Sequence, residues 1–431
     1  MRLAKILSML LTLVLIAVVA LVCIPLSGCL NYYDPVKCCN GYTLISNDNA
    51  AKLLDMNGNT VKTWTLNSFP AKMFPGGSLM GQGGFGVARL ELSEIVQLNW
   101  EGEVEWKFTD WEEVDGVMSA RVHHDFQRDG NPVGYYAPGQ EPQARGGKVL
   151  VLGRMDTVDP EISAQPLLDD IVYQVDWETR ETGLLWKSSE HYDEFGFDEE
   201  ARNIIYNSGG DYLHVNSVSR VGPNRWYDPA TKAGDPRFHP DNLIMDSRAS
   251  NIIWIVNMVE GNGYEVGEIV WKVGPDYGAG TPEGDKLGQI IGQHHAHMIP
   301  AGLPGEGNIL VFDNGGAAGY PLLFRWTSRI LEFDPVTLDL VWKYEDPNFF
   351  SFYISSAQRL PNGNTLIDEG SVGRVFEVDP AGETVWEYVD GTGIQGFGRL
   401  YRAYRIPPEW VPGNPAGYAP WRELYEEPGT G

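Results

Sequence analysis

Apolar and polar residues alternate in short runs along most of the chain, and the runs recur as one phrase. An apolar strand leads to an acidic or amide residue, a turn follows, and a second alternating run ends in tryptophan. The phrase reads LLDMNGNTVKTW at 53–64, VQLNWEGEVEW at 96–106 and VYQVDWETRETGLLW at 172–186. It returns at 253–271, as ILEFDPVTLDLVW at 330–342 and as VFEVDPAGETVW at 375–386. Period-two alternation around an Asx or Gly turn is the pattern of a β-hairpin, with the tryptophan placed to pack between neighbouring sheets. A second phrase, two strands joined by a Pro-Asn-Gly-type turn, precedes several copies and is clearest at 355–367 and 294–312. Two strands plus a hairpin make a four-stranded unit. Six such units predict an all-β fold, a six-bladed β-propeller over residues 41–407.

The ends of the repeat refine this expectation. The first unit lacks its first strand, and residues 401–407 (YRAYRIP) match the pattern of 355–361 (SSAQRLP). The C-terminal strand is therefore expected to be the inner strand of blade one, closing the ring and removing sheet edges. Residues 408–431 are left as a tail. Two long insertions, 156–170 and 224–241, are expected as loops on one face. The run GQGGFG at 81–86 fits GxGxxG, but no helix or βαβ unit surrounds it, so it reads as a strand bend.

Residues 1–28 break the pattern. Arg2 and Lys5 precede a run from 6 to 28 that carries no charge and is almost wholly apolar. This is a targeting segment, excluded from the fold. Its end, Leu26-Ser27-Gly28-Cys29, resembles the lipobox of bacterial lipoproteins, in which the cysteine is lipidated. The run is also long enough to be a single transmembrane anchor. Either reading makes the remaining chain extracytoplasmic and membrane-tethered, periplasmic or on the cell surface. Residues 29–40 are expected as a short linker.

Composition then limits the chemistry. The 431 residues are 43% hydrophobic, which excludes a disordered chain. The net charge of −26 argues against nucleic acid as a partner. It also means that an anionic substrate would need a locally positive pocket. The four cysteines show neither zinc-site spacing nor a disulfide framework.

Six of the eight histidines fall in three phrases: VHHDFQRDGN (His123, His124), DYLHVNSVSRVG (His214) and GQHHAHMIP (His294, His295, His297). Each phrase opens a blade, where the innermost strand lines the central channel. Aligned on the turn that follows, His124 and His294 take the position of Ser355, Phe69 and Tyr401. His214 aligns two residues earlier, with Tyr353. An offset of two keeps the same strand face, so His124, His214 and His294 are expected to point inward together. His123, His295 and His297 fall on the other parity, as packing or hydrogen-bonding residues, and His191 and His239 fall in solvated loops. Three inward imidazoles can bind a metal, or bind and attack an anionic group.

The phrases DYLHVNSV, DSRASNIIWIV, QHHA followed by GNILVFDNG, and the hairpins ending VW resemble the arylsulfate sulfotransferase (arylsulfotransferase) family over roughly residues 41–407, most of the chain after the targeting segment. The resemblance implies a six-bladed propeller that moves a sulfuryl group from a phenolic sulfate ester to a phenol acceptor, with no nucleotide donor, cofactor or metal. It implies that His294 attacks sulfur and becomes a sulfohistidine, supported by His124, His214 and Arg248. Phe69, Tyr353 and Tyr401, with Ser355, are expected to line the substrate site, the aromatic rings holding the phenolic ring. The family's best-known members carry an N-terminal β-sandwich that helps dimerisation; only about a dozen residues separate Cys29 from the first strand here. His295 stands where a small residue is usual after the nucleophile. Two other readings use the same residues: a metal-dependent propeller hydrolase or lyase, and a non-catalytic propeller that binds aromatic or sulfated ligands.

Overall fold

The computed structural model describes residues 28–47, 50–83, 93–390 and 400–426. The targeting segment before Gly28, and residues 84–86 of the glycine run, lie outside these residues. Six antiparallel sheets follow one another and form the six blades of a β-propeller. Blade two runs outward from the axis through Asn67–Met73, Leu79–Gly83, Glu94–Leu98 and Val104–Phe108. Blade three is Val122–Arg128, Lys148–Thr157, Leu167–Asp176 and Thr182–Lys187. Blade four is Val215–Arg220, Leu243–Ser247, Ile252–Val256 and Ile269–Val273. Blade five is His294–Met298, Ile309–Asp313, Arg329–Phe333 and Leu340–Tyr344. Blade six is Ser356–Arg359, Thr365–Glu369, Arg374–Val378 and Thr384–Val389.

Blade one draws on both ends of the chain. Ala403–Ile406 is its inner strand, beside Tyr42–Ser46, Ala50–Leu54 and Thr60–Thr65. Tyr42 pairs with Ile406 and Ile45 with Ala403, so the C-terminal strand closes the ring as its pattern predicts.

The repeated hairpin has a physical basis at both of its fixed positions. Its acidic or amide residue caps the turn. Asp55 Oδ1 accepts N–H bonds from Asn57 and Asn59, and Asp176, Asp334 and Asp379 do the same in blades three, five and six. Asn99 accepts from Glu103 in blade two. These are Asx turns, which the sequence supplies locally. The tryptophan links neighbours. Each indole N–H donates to a carbonyl on the outer hairpin of the next blade: Trp64 to Asn99, Trp106 to Trp177, Trp186 to Gly267, Trp271 to Pro335, Trp342 to Pro380 and Trp386 to Met56. The last bond joins blade six to blade one. Each contributes about 1 kcal/mol net, beside the larger burial of the rings.

Four expectations change. Cys29–Tyr33 is a fifth, outer strand of blade six, paired antiparallel with Thr384–Val389, where a linker was expected. The tail is packed: Trp410 and Trp421 are buried, and the Trp421 indole donates to the Asn40 carbonyl. The two insertions lie on opposite faces. The inner strands all begin at one end, the upper face, and the connection at 158–166 lies there because it joins the second and third strands of blade three. The 224–241 segment follows an inner strand and lies on the lower face, where the Trp226 indole donates to Gly307. Finally, His191 stacks on Trp186 at 5.4 Å and His239 is buried, so neither is simply a solvated loop residue.

Candidate active site

At the upper mouth of the channel the inner strands of blades three, four and five break their regular ladder. Register shifts fall between Val122 and Phe126, Val215 and Ser217, and His294 and His297. His124 (φ 59°), His214 (φ 54°) and His295 (φ 56°) adopt the left-handed region, as does Ser355 (φ 94°) in blade six. Such backbone is costly for residues with a side chain and concentrates at functional sites. Simple parity therefore does not aim the rings; bulges do.

They nevertheless bring the expected histidines together. The His124 and His214 rings lie 4.7 Å apart. His294 feels the charges of Arg248 and His214, and Arg248 acts on His124 and His214 as well. Burial, followed by Arg248, pulls His294 well below the ordinary histidine value, so its ring is neutral at pH 7. Burial, followed by His214, does the same to His124.

The tautomer of His294 follows from its neighbours. Asn314 Nδ2 donates to the carbonyls of Ser351 (2.9 Å) and Ile354 (2.8 Å), which fixes the amide orientation. Asn314 Oδ1 then faces His294 Nδ1 at 2.8 Å and requires an N–H there. Nε2 is left with its lone pair, which accepts the Ile354 N–H at 3.2 Å. His295 points elsewhere: its Nδ1 bonds the Ala357 carbonyl and its ring lies 4.5 Å from that of His297. Of the two adjacent histidines, His294 is the one at the mouth.

His214 and His124 are each held through Nδ1. Asp211 Oδ2 lies 2.6 Å from His214 Nδ1 and also accepts from Arg154 at 2.6 Å. Burial would raise Asp211, but His214 and Arg154 hold it well below the carboxylate range. Burial lowers His214, and Asp211 opposes this. His124 Nδ1 meets His123 Nδ1 at 2.7 Å, and His123 Nε2 reaches the Gly153 carbonyl (3.1 Å) and Asp170 (3.0 Å). His123 thus supports His124. Burial, then the Asp211 charge, raises Asp170.

Arg248 differs from its neighbours. Its guanidinium is half-buried, yet it makes no side-chain hydrogen bond or ion pair among the described residues, and its buried Nε has no partner. Arg121, Arg154 and Arg402 nearby all hold carboxylates. An arginine left open beside three neutral imidazoles, in a chain of charge −26, is an anion-binding feature.

The expected aromatic wall is partly assembled. Phe69 packs on Tyr401 at 4.8 Å, and Tyr401 lies 5.9 Å from His124. Tyr353 is half-buried, next to Ile354. Ser355 is buried with its hydroxyl committed: it donates to Ser351 Oγ and accepts the Gly370 N–H. It shapes the strand entrance and offers no free group to a ligand. Asn314 and Asp211 were not singled out from sequence, although the FDNG and DYLHVNSV phrases contain them; His123, expected as a packing or hydrogen-bonding residue, makes hydrogen bonds at both ring nitrogens. Among the described residues no group of three or more His, Cys, Asp or Glu has metal-binding geometry.

Fold and site together define a propeller whose channel mouth gathers neutral histidines around an arginine with no side-chain partner among the described residues. A family model for arylsulfotransferase (ASST) matches residues 146–391, more than half of the chain, and the chain belongs to that family. The matched region contains His214, Arg248, His294 and Asn314, while His124, Phe69 and Tyr401 lie outside it. Family membership supports arylsulfotransferase activity at the level of the family. No curated protein matches the chain. Among solved structures, a protein of unknown function from Bacteroides caccae is 10% identical, with 85% of this chain and 99% of that chain covered at a TM-score of 0.45. A putative 6-phosphogluconolactonase from Bacteroides fragilis is also 10% identical, covering 86% and 99% at 0.39. Saccharomyces cerevisiae Sqt1 is 10% identical, covering 84% and 88% at 0.37.

Proposed function

We propose that the protein transfers a sulfuryl group from a phenolic sulfate ester to a phenolic acceptor by a ping-pong route through a sulfohistidine at His294. The observation that carries this reading is the open Arg248 guanidinium beside a His294 whose Nε2 holds a lone pair. In the first half, Nε2 attacks sulfur and the aryl C–O–S linkage breaks at the O–S bond. The S–N bond forms as phenoxide leaves. Arg248 binds the sulfuryl oxygens, and the Ile354 N–H, freed from Nε2, is placed to bind another. A phenol has a pKa of about 10, so the leaving group needs one proton but little acid strength. The anionic substrate favours the charged form of His214. Its Nδ1–H is held by Asp211, so Nε2–H gives the proton to the phenoxide.

In the second half the acceptor phenol gives its proton to neutral His214, its oxygen attacks sulfur, and the S–N bond breaks. Asn314 suits this step. It accepts the Nδ1–H of the sulfated ring but, being neutral, does not pull the proton away, so the ring stays a good leaving group. Phe69 and Tyr401 provide a face for the aryl ring. No step needs a metal, so chelation should leave activity intact, which separates this route from a metal-dependent hydrolase.

The sequence before Cys29 supports a tether, by a lipid on Cys29 or by an anchor helix, that holds the propeller outside the cytoplasm on a membrane. No helix among the described residues is long and apolar enough to cross a bilayer. Cys29 is exposed, as an acylated residue must be.

The test is turnover of a chromogenic aryl sulfate with and without a phenol acceptor. Acceptor-dependent release with parallel-line kinetics, unaffected by chelator, is expected. Release that requires a metal, or equal release from the His294→Ala variant, would contradict the proposal.

A further inference from the structure

The rim of the upper face is not uniform. After Asn314, the loop to the next strand exposes Leu322 (85%), Trp326 (77%) and Phe324 (45%), and the segment entering blade six exposes Phe352 (44%). These are one cluster. Phe324 lies 4.4 Å from Trp326, 5.7 Å from Phe350 and 6.0 Å from Phe352. The cation within the loop turns inward: Arg325 pairs with Asp313 at 2.8 Å and donates to the Thr327 carbonyl. What remains outward is apolar. A contiguous exposed aromatic patch of this kind marks an interaction surface.

The place where the chain leaves the described residues points to the occupant. Phe350 N–H donates to Glu369, Glu369 holds Arg374, Arg374 pairs with Val389, and Val389 pairs with Cys29. Patch and Cys29 are therefore tied to the same, upper end of blade six. The uncharged apolar run 6–28 adjoins Cys29 directly in sequence. A tether leaving from this end presents the upper face of blades five and six to the bilayer. Tryptophan, phenylalanine and leucine side chains are those that insert at a lipid interface. The other half of the rim has the opposite character: Glu161, Glu190, Glu199 and Glu200 are exposed beside blades three and four, and anionic lipid would repel them.

We propose that the Leu322–Phe324–Trp326–Phe352 patch docks on the lipid surface, so that the His294 mouth opens beside the bilayer and receives aromatic substrates partitioned into it. The surface is zwitterionic or neutral lipid, since the rest of the face is acidic. This rests on the tether reading above.

The experiment uses the full chain reconstituted in phosphatidylcholine vesicles with and without brominated acyl chains. Vesicle flotation reads the tether, and bromolipid quenching of tryptophan emission reads the docking. The expected result is flotation with quenching that Trp326→Phe largely removes. Leu322→Asp should reduce that quenching while flotation persists. Turnover of a long-chain aryl sulfate should fall in Leu322→Asp, with a water-soluble one unaffected. A chain that floats with Trp326 unquenched overturns docking and leaves the tether standing. A chain that does not float overturns both. A dimer in sedimentation that Leu322→Asp dissolves, without quenching, assigns the patch to a second copy and overturns the proposal.

Discussion

Two layers of the same channel hold histidines and buried cations, and they are wired in opposite ways. In the lower layer the buried cations Lys72 and Arg402 and the Asp125 carboxylate answer one another from within. Asp125 receives Lys72 at 2.6 Å and Arg402 at 2.9 Å, and Arg402 also donates to the Asn216 carbonyl. Burial alone would raise Asp125, but Arg402 and Lys72 hold it down. His297 bonds the Tyr135 hydroxyl at 2.8 Å and the His295 carbonyl at 2.8 Å. These contacts join blades one to five across the axis. In the upper layer the same residue types are held less completely: His294 Nε2 meets only the backbone N–H of Ile354. The Nδ1 atoms of His124, His214 and His294 are engaged, and Arg248 has no partner among the described residues. A saturated layer fixes the ring; a half-saturated one leaves capacity for a ligand.

The contrast is broken most severely at His294. His294→Ala should lower aryl sulfate turnover by about 10⁴-fold or more, because the nucleophile is gone. Next come the two arginines, which should separate cleanly. Arg402→Met leaves Asp125 with Lys72 alone and the Asn216 carbonyl without its donor, and should destabilise the fold by about 1.5–3 kcal/mol, read as a lower denaturant midpoint. Arg248→Met should leave the midpoint unchanged and lower turnover by roughly 10²–10³-fold, the scale of a lost transition-state donor. Smaller again, Asp211→Asn should cost about 10–100-fold, as the loss of a partner that orients a functional imidazole does. Removing that carboxylate also removes what opposes burial at His214. The limb of the kcat profile set by His214 should therefore move to lower pH.

A separate effect, on stability and not on turnover, is shared by both layers. His123, His124, His294 and His295 sit well below their ordinary value, chiefly through burial, and His297 is pulled down to about 4. The unfolded chain then binds protons that the folded chain refuses. Stability should be complete above about pH 6.5 and fall progressively toward about 4. Chemical denaturation across this range checks the sign.

Much of the ring is legible in the sequence because it is built from local rules. Alternation, Asx turns and a tryptophan at a fixed place are all short-range, and the Tyr401–Pro407 match reveals the closure. The strand at Cys29–Tyr33 is hidden because its five residues pair with a hairpin more than 350 positions away. His124, His214 and His294 come together at one end of the channel, yet parity is only part of the reason. The bulges at His124 and His214 depend on tertiary support that no alternation shows. Asp211 and Asn314 gain their roles from the rings they face. Lys72 and Arg402 look like solvated charges in alternating strands and become a buried network only when the blades converge.

The central claim is that His294 carries the sulfuryl group between donor and acceptor. Brief exposure of the protein to aryl sulfate without acceptor, followed by peptide mass spectrometry at alkaline pH, tests it most directly. The account predicts one sulfo adduct, on His294, that disappears when a phenol is added and persists in His295→Asn. An adduct on another residue, or full turnover with no adduct at all, would contradict it.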